Sequence, residues 1–147
     1  MISLRILPDL FTLYQLPRTF KLPMAQVADW PWYTISKTTS ELSVLLPAQV
    51  NPSWQQEEQG VDGALQVKVE ENWRALQVDA QMDFGLVGIL TAIISPLRDH
   101  GIPVFCISTF DTDYILVKQD RLENALGVLA NEPKMVVKSG LSVLDEQ

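Results

Sequence analysis

The fold is decided by one continuous run, Trp73 to Lys118: WRALQVDAQMDFGLVGILTAIISPLRDHGIPVFCISTFDTDYILVK. Its opening places Leu76, Val78 and Ala80 on alternate positions, the period of a half-buried strand. Asp83 then stands as an N-cap before FGLVGILTAIISPLRDHG. Leu86, Leu90, Ile93 and Leu97 follow at spacings of four, three and four, which stacks them on one helical face. Pro96 is expected to disturb the last turn, and Gly101 to end the helix in the left-handed conformation. IPVFCI reads as a short buried strand and DYILVK as the next. Between them lies Ser108 to Asp113, STFDTD, a connection with neither of the residues, Gly or Asn, that usually close a hairpin. Downstream, Asp120 opens a second helix, where DRLE has the form of a capping box and Leu122, Leu126 and Leu129 share one side. PKMVVK closes as a strand. The order is β-α-β-β-α-β, an α+β unit of ferredoxin-like type with two helices over one face of an antiparallel sheet.

Upstream the pattern is fainter. LFTLYQL and WYTISKT alternate like strands, TTSELSVLLP reads as a turn and then a strand, and Pro23 to Asp29 suits a short helix. The first half therefore reads as a worn copy of the same unit without a clear second helix. Asn51 to Gly63, NPSWQQEEQGVDG, has the polar, Gly- and Pro-marked composition of a linker or exposed loop. The expected division is an N-terminal unit at 1–63 and a C-terminal domain at 64–147, tied together by LQVKVEENW.

The composition bounds the function. The 147 residues are 47% hydrophobic and 20% charged, enough to bury the core of one domain or of two very small ones. The net charge of −7 lacks the basic footprint that nucleic-acid binding needs. Residues 1–60 hold four Lys/Arg against five Asp/Glu, whereas residues 61–147 hold seven against thirteen. That excess serves solubility, or it favours a ligand carrying an ammonium or guanidinium. The single cysteine, Cys106, cannot form an internal disulfide and reads as a small buried hydrophobe. The N-terminus has no long apolar core and no small-residue cleavage site. The longest apolar stretch, Phe84 to Leu97, is shorter than the ~20 residues of a membrane span. A soluble, cytoplasmic setting without membrane contact is expected.

Catalytic constellations are not legible. His100, beside the capping Gly101, suits a helix end, and no third group orients a Cys106–His100 pair. Asp111 and Asp113 offer fewer oxygens than a metal site draws on. Trp30, Trp32, Trp54 and Trp73 read as core or interface anchors. No phosphate loop or dinucleotide fingerprint is present. The expectation is a protein with no catalytic residues, no metal and no cofactor.

GILTAIISPLRDHGIPV resembles the ACT domain, the small ligand-sensing module of amino-acid metabolism. Gly88 and Gly101 stand thirteen positions apart, the spacing usual in that family. DFGLVGIL followed by STFDTDYILV is similar to one subgroup, small tandem ACT proteins related to the CASTOR-type cytosolic arginine sensors; SELSVLLP and WRALQVDAQMDF also fit it. The resemblance covers most of residues 33–131. The chain departs from the broader ACT pattern at Val87, where a proline precedes the helix-opening glycine, and at Pro103, where a polar residue is common.

The resemblance implies a regulatory protein, not an enzyme, that binds a small ligand such as an amino acid at a unit or subunit interface. A homodimer and a regulated protein partner go with it. The ligand-binding candidates are Asp83, Phe84, Gly85, Leu86, Val87 and Gly88 in the loop entering the helix, with Ile102, Ser108, Thr109, Phe110 and Asp113. The loop runs into a helix N-terminus, where unpaired N–H groups favour a carboxylate, and its glycines admit close approach or simply allow helix–sheet packing. Carried over from the arginine sensors, Thr109, Phe110 and Asp113 line the pocket. Asp113 would accept from an ammonium or guanidinium. The same Asp and Thr residues also suit bonds to their own turn backbone. The turn is expected opposite the strand-to-helix loop of its own unit, so that a site forms between units. The alternative is a ligand-free assembly module acting through protein–protein contacts alone.

Overall fold

The computed structural model describes residues 1–57, 66–79 and 88–145. In chain order the elements are β1 (Ile2–Ile6), β2 (Phe11–Leu16), α1 (Met24–Val27), β3 (Thr34–Lys37), β4 (Leu42–Pro47), α2 (Trp54–Glu57), β5 (Lys68–Val78), α3 (Ile89–Asp99), β6 (Phe105–Ser108), β7 (Asp113–Lys118), α4 (Leu122–Ala130) and β8 (Met135–Ser139). Two compact units form, Met1–Asp9 with Trp73–Ser142 and Leu10–Asn72 with Val143–Gln147, here the β1 unit and the β2 unit.

In the β1 unit, β5, α3, β6, β7, α4 and β8 give the β-α-β-β-α-β order. The sheet is mixed. β7 pairs antiparallel with β5 and with β6, and β1 pairs antiparallel with β5 but parallel with β8. The wholly antiparallel sheet expected from sequence is corrected by β1, which lies between β5 and β8. Its residues alternate as a strand should: Leu4 is fully buried in the helix-facing core, with Ile2 and Ile6 packed against that core. On the other face Arg5 bonds the Asp79 carboxylate at 3.3 Å, and Lys138 of β8 lies 4.0 Å from the same oxygen. The unit that holds β5 from Trp73 onward and β6 to β8 therefore includes Met1–Asp9.

One core joins sheet and helices: Leu76, Val78, Ile115 and Val117 from the strands, Ile93 and Leu97 from α3, Leu122, Ala125 and Leu129 from α4. Each large aliphatic among them contributes about 1.5–3 kcal/mol by leaving water. α3 continues through Pro96 and ends as the sequence requires. Gly101 takes φ 71°, its N–H bonds the Arg98 carbonyl at 2.9 Å, and the Ile102 N–H bonds the Leu97 carbonyl at 3.0 Å. This pairing satisfies the last carbonyls of the helix, and buried Ile102 packs in the same core as Leu97. The expected capping box at Asp120 is not made. Gln119–Arg121 form a 3₁₀ turn, and α4 starts at Leu122 without a side-chain cap.

In the β2 unit, β4 pairs antiparallel with β2 and with β3. Its element order is β2-α1-β3-β4-α2-β5, but each helix is a single turn. Tryptophan replaces the missing helical cover. Trp54 is fully buried, with Tyr14, Phe20 and Trp30 edge-on to its ring at 5.5, 5.9 and 5.8 Å. The reading of Asn51 to Gly63 as a linker is thus corrected at its start, where Trp54 anchors the core. Asn72 takes φ 67°, a left-handed conformation that asparagine adopts more readily than most residues.

Candidate functional site

The β6–β7 hairpin carries the turn that the sequence singled out. Ser108 and Asp113 form its last strand pair, and the Ser108 hydroxyl donates to Asp113 Oδ1 at 2.5 Å. Inside the loop the Thr109 N–H donates to the Thr112 carbonyl at 2.8 Å, and the Thr112 N–H donates to Thr109 Oγ1 at 3.2 Å. The Thr112 hydroxyl donates in turn to the Val78 carbonyl at the end of β5. Hydroxyls thus do here what Gly or Asn does in shorter hairpins, closing a four-residue loop without a positive φ. Phe110 sits at the tip, fully exposed at 101%.

The direction of the turn corrects the sequence expectation. β5 and β6 both run antiparallel to β7, hence parallel to each other. The β6–β7 tip and the exit of β5 therefore lie at the same end of this sheet, and a helix crossing from β5 to β6 begins at that end too. Gly88, with φ 81°, is the N-cap of α3 there. Ser108, Thr109, Phe110 and Asp113 are brought together on one turn. Ile102 is placed apart, beyond the other end of α3 and inside the core. Asp83, Phe84, Gly85, Leu86 and Val87 lie outside the described residues.

Cys106, two strand pairs inward from Ser108–Asp113, has its thiol held above the ordinary value, first by burial and then by the negative charge of Asp113. The His100 ring bonds the Pro96 carbonyl through Nδ1 at 2.8 Å, a helix-end role as expected. No group of three His, Cys, Asp or Glu side chains suited to a metal occurs among the described residues. No helix among them is long and apolar enough to cross a membrane. The Trp73 and Phe105 rings pack tilted at 46° with centres 5.6 Å apart, and Lys118 Nζ lies 4.7 Å from the centre of the Trp73 ring. A cleft of about 540 Å³ lies elsewhere, bordered by His100, Arg121, Asn124, Val128 and Glu132, and shares only Ile102 with the candidate residues.

The β2 unit holds a feature that sequence reasoning missed. Its β3–β4 loop, Thr38 to Glu41, is closed in the same way: the Thr38 N–H donates to the Glu41 carbonyl at 2.9 Å, and the Glu41 N–H to Thr38 Oγ1 at 3.0 Å. Arg18 then donates from Nε to the Thr38 carbonyl at 2.9 Å. The sequence signal was a threonine opening the loop in both ISKTTSEL and CISTFDTD.

A mixed sheet covered by two helices in β-α-β-β-α-β order, with glycines at both ends of the first helix, defines an ACT-like α+β fold, and residues 68–131 match the family model of the ACT domain. Among curated proteins, the human cytosolic arginine sensor for mTORC1 subunit 1 is 36% identical over 68 residues, 43% of this chain and 21% of the sensor. The match thus spans about a fifth of that relative's length. The human putative protein CASTOR3P is 33% identical over 70 residues, 43% of each chain. Among solved structures, protein Atu0741 of Agobacterium tumefaciens has a TM-score of 0.75 at 27% identity, covering 95% of this chain and 96% of that one. A putative C-terminal regulatory domain of aspartate kinase from Porphyromonas gingivalis shares the fold, with a TM-score of 0.56 at 16% identity over 90% of this chain and 96% of its own. The resemblance read from the sequence is thereby shown: an ACT domain, with CASTOR-type arginine sensors among its relatives.

Proposed function

We propose that this chain is a cytoplasmic amino-acid sensor built of two ACT-like units, the N-terminal one degenerate, and that its β6–β7 turn contacts the ligand. The observation that carries the reading is the turn itself. It holds a carboxylate, Asp113, fixed by the Ser108 hydroxyl at 2.5 Å, beside a phenyl ring that the chain leaves wholly uncovered. A fixed carboxylate accepts from an α-ammonium or a guanidinium as a charge-assisted bond. The N-terminus of α3, which Gly88 caps, offers N–H donors for the ligand carboxylate. Phe110 is covered when ligand and a second copy of the chain close over the tip, so a homodimer accompanies binding. The role is regulatory and not catalytic, and needs no metal or cofactor. The ligand favours one packing, and a protein partner reads that packing. The similarity to proteins named as arginine sensors is the reason to try arginine first.

The test is a thermal-shift screen against the standard amino acids, run on the wild-type chain and on Asp113→Asn. A ligand present at 100 times its Kd adds about 2.7 kcal/mol to the folded state. A selective rise in Tm that Asp113→Asn abolishes, with the unliganded Tm unchanged, supports the reading. A flat plate at millimolar concentrations sinks it.

A further inference from the structure

The two hairpins are the same object built twice. Thr34↔Leu45, Ile35↔Val44, Ser36↔Ser43 and Lys37↔Leu42 correspond one for one with Phe105↔Leu116, Cys106↔Ile115, Ile107↔Tyr114 and Ser108↔Asp113. The strand beside each hairpin keeps the correspondence, since Tyr14 opposes Val44 as Leu76 opposes Ile115. Thr38 therefore occupies the place of Thr109, and the two threonines close their loops through the same backbone and hydroxyl bonds.

What differs is the carbonyl of that threonine. In the β2 unit the Thr38 carbonyl receives the Arg18 guanidinium at 2.9 Å. In the β1 unit, among the described residues, no group donates to the Thr109 carbonyl. The residue that follows the loop differs as well. Asp113 follows the open turn, whereas Leu42 follows the closed one, whose carboxylate is Glu41, inside the loop and accepting from the Ser43 hydroxyl at 2.6 Å. Arg18 reaches its turn from Pro17–Phe20, the connection that leaves β2, which is held by a bond from the Phe20 N–H to the Pro17 carbonyl at 2.9 Å.

We infer that Arg18 is a built-in occupant. The β2 unit retains the recognition turn but fills it with a guanidinium of its own chain, so that a free guanidinium compound engages only the Thr109 turn. The inference rests on the proposed function only for what the open turn binds. The closure of the Thr38 turn by Arg18 stands on the register and the bond alone. The chemistry follows: the Arg18 guanidinium N–H donates to the Thr38 carbonyl, a bond that a free guanidinium would have to displace, and its positive charge is supplied in cis to a loop that carries the Glu41 carboxylate.

The experiment is an NMR titration of the ¹⁵N-labelled full chain with L-arginine to tens of millimolar, a range that reads weak binding residue by residue. It is run on wild type, Arg18→Ala and Arg18→Gln, the second truncation guarding against local loss of structure in the first. Arginine is expected to shift the amides of Thr38 to Glu41 in both variants, by at least threefold more than in wild type. Wild-type shifts at Thr38 to Glu41 as large as those in the variants overturn the inference. So does a lack of response there in both variants. Should residues 109–113 stay silent throughout while Thr38 to Glu41 respond only without Arg18, the inference holds and the proposed ligand turn of the β1 unit fails.

Discussion

Two glycines offer a comparison in which the same methyl group is added to the same unit with opposite results. At Gly101 and at Gly127, an added Cβ meets nothing within 4 Å, so neither clash nor new packing enters. Gly101 has φ 71°, and an L side chain in that left-handed region costs about 1–2 kcal/mol. Gly127 lies inside α4, where replacing Gly by Ala removes unfolded-chain freedom and gains about 0.5–1 kcal/mol. Gly101→Ala and Gly127→Ala have identical composition, yet should differ by about 1.5–3 kcal/mol. At roughly 2–4 °C per kcal/mol for a chain of this size, their midpoints should lie roughly 3–12 °C apart, on either side of wild type. Thermal melts followed by circular dichroism, with urea titrations for the free energies, read both. Gly101→Asn should recover part of the loss, because asparagine tolerates the left-handed region. Two substitutions shifting stability in the same direction would refute the reasoning, since backbone geometry is the only difference invoked.

Two further outcomes are expected. Trp54→Ala should cost about 3–5 kcal/mol, by emptying the centre of the aromatic cluster of the β2 unit, and Trp54→Phe distinctly less; urea denaturation of each checks this, and equal losses would count against ring packing as the cause. The raised thiol of Cys106 should react with iodoacetamide at pH 8 more slowly than the same thiol in urea. Asp113→Asn should speed that reaction only in part, because it removes the second cause and leaves burial. An unchanged rate would mean that the carboxylate does not act on the thiol.

Most of the β1 unit was legible because its residues serve one purpose each. Asp113 to Lys118 alternate between polar ends and a buried run, and β7 spans those residues. Gly101 marks the end of α3 because only a left-handed residue fits after that last turn. Asp120 misled, since an Asp-x-x-Glu spacing also fits a 3₁₀ turn, and the helix began two residues later. Trp54 was hidden by its polar neighbours, one large ring doing the work of a helix face that a periodic pattern would have shown. β1 carried a readable alternation in Ile2, Leu4 and Ile6, but alternation names a face and never the neighbouring strand. For the candidate site, the turn stood out by its missing glycine, and the hydroxyl bonds explain that absence. Arg18 did not stand out, because nothing in a local pattern ties an arginine to a carbonyl on another hairpin.

The position of β1 sets the order in which this chain can mature on the ribosome. Its two sheet neighbours, β5 and β8, are translated only after β2, β3 and β4 have been made. Until then Ile2, Leu4 and Ile6 form an apolar segment without its partners, a pairing of high sequence separation that slows folding. Excising the stretch that matches the ACT model would repeat that vulnerability in reverse, leaving the edge of β5 bare and open to the wrong strand. The pairing of β1 with β5 and β8 is therefore expected late in the closing of this unit, and pulse proteolysis during refolding should find the bonds after Ile2, Leu4 and Ile6 among the last to be protected.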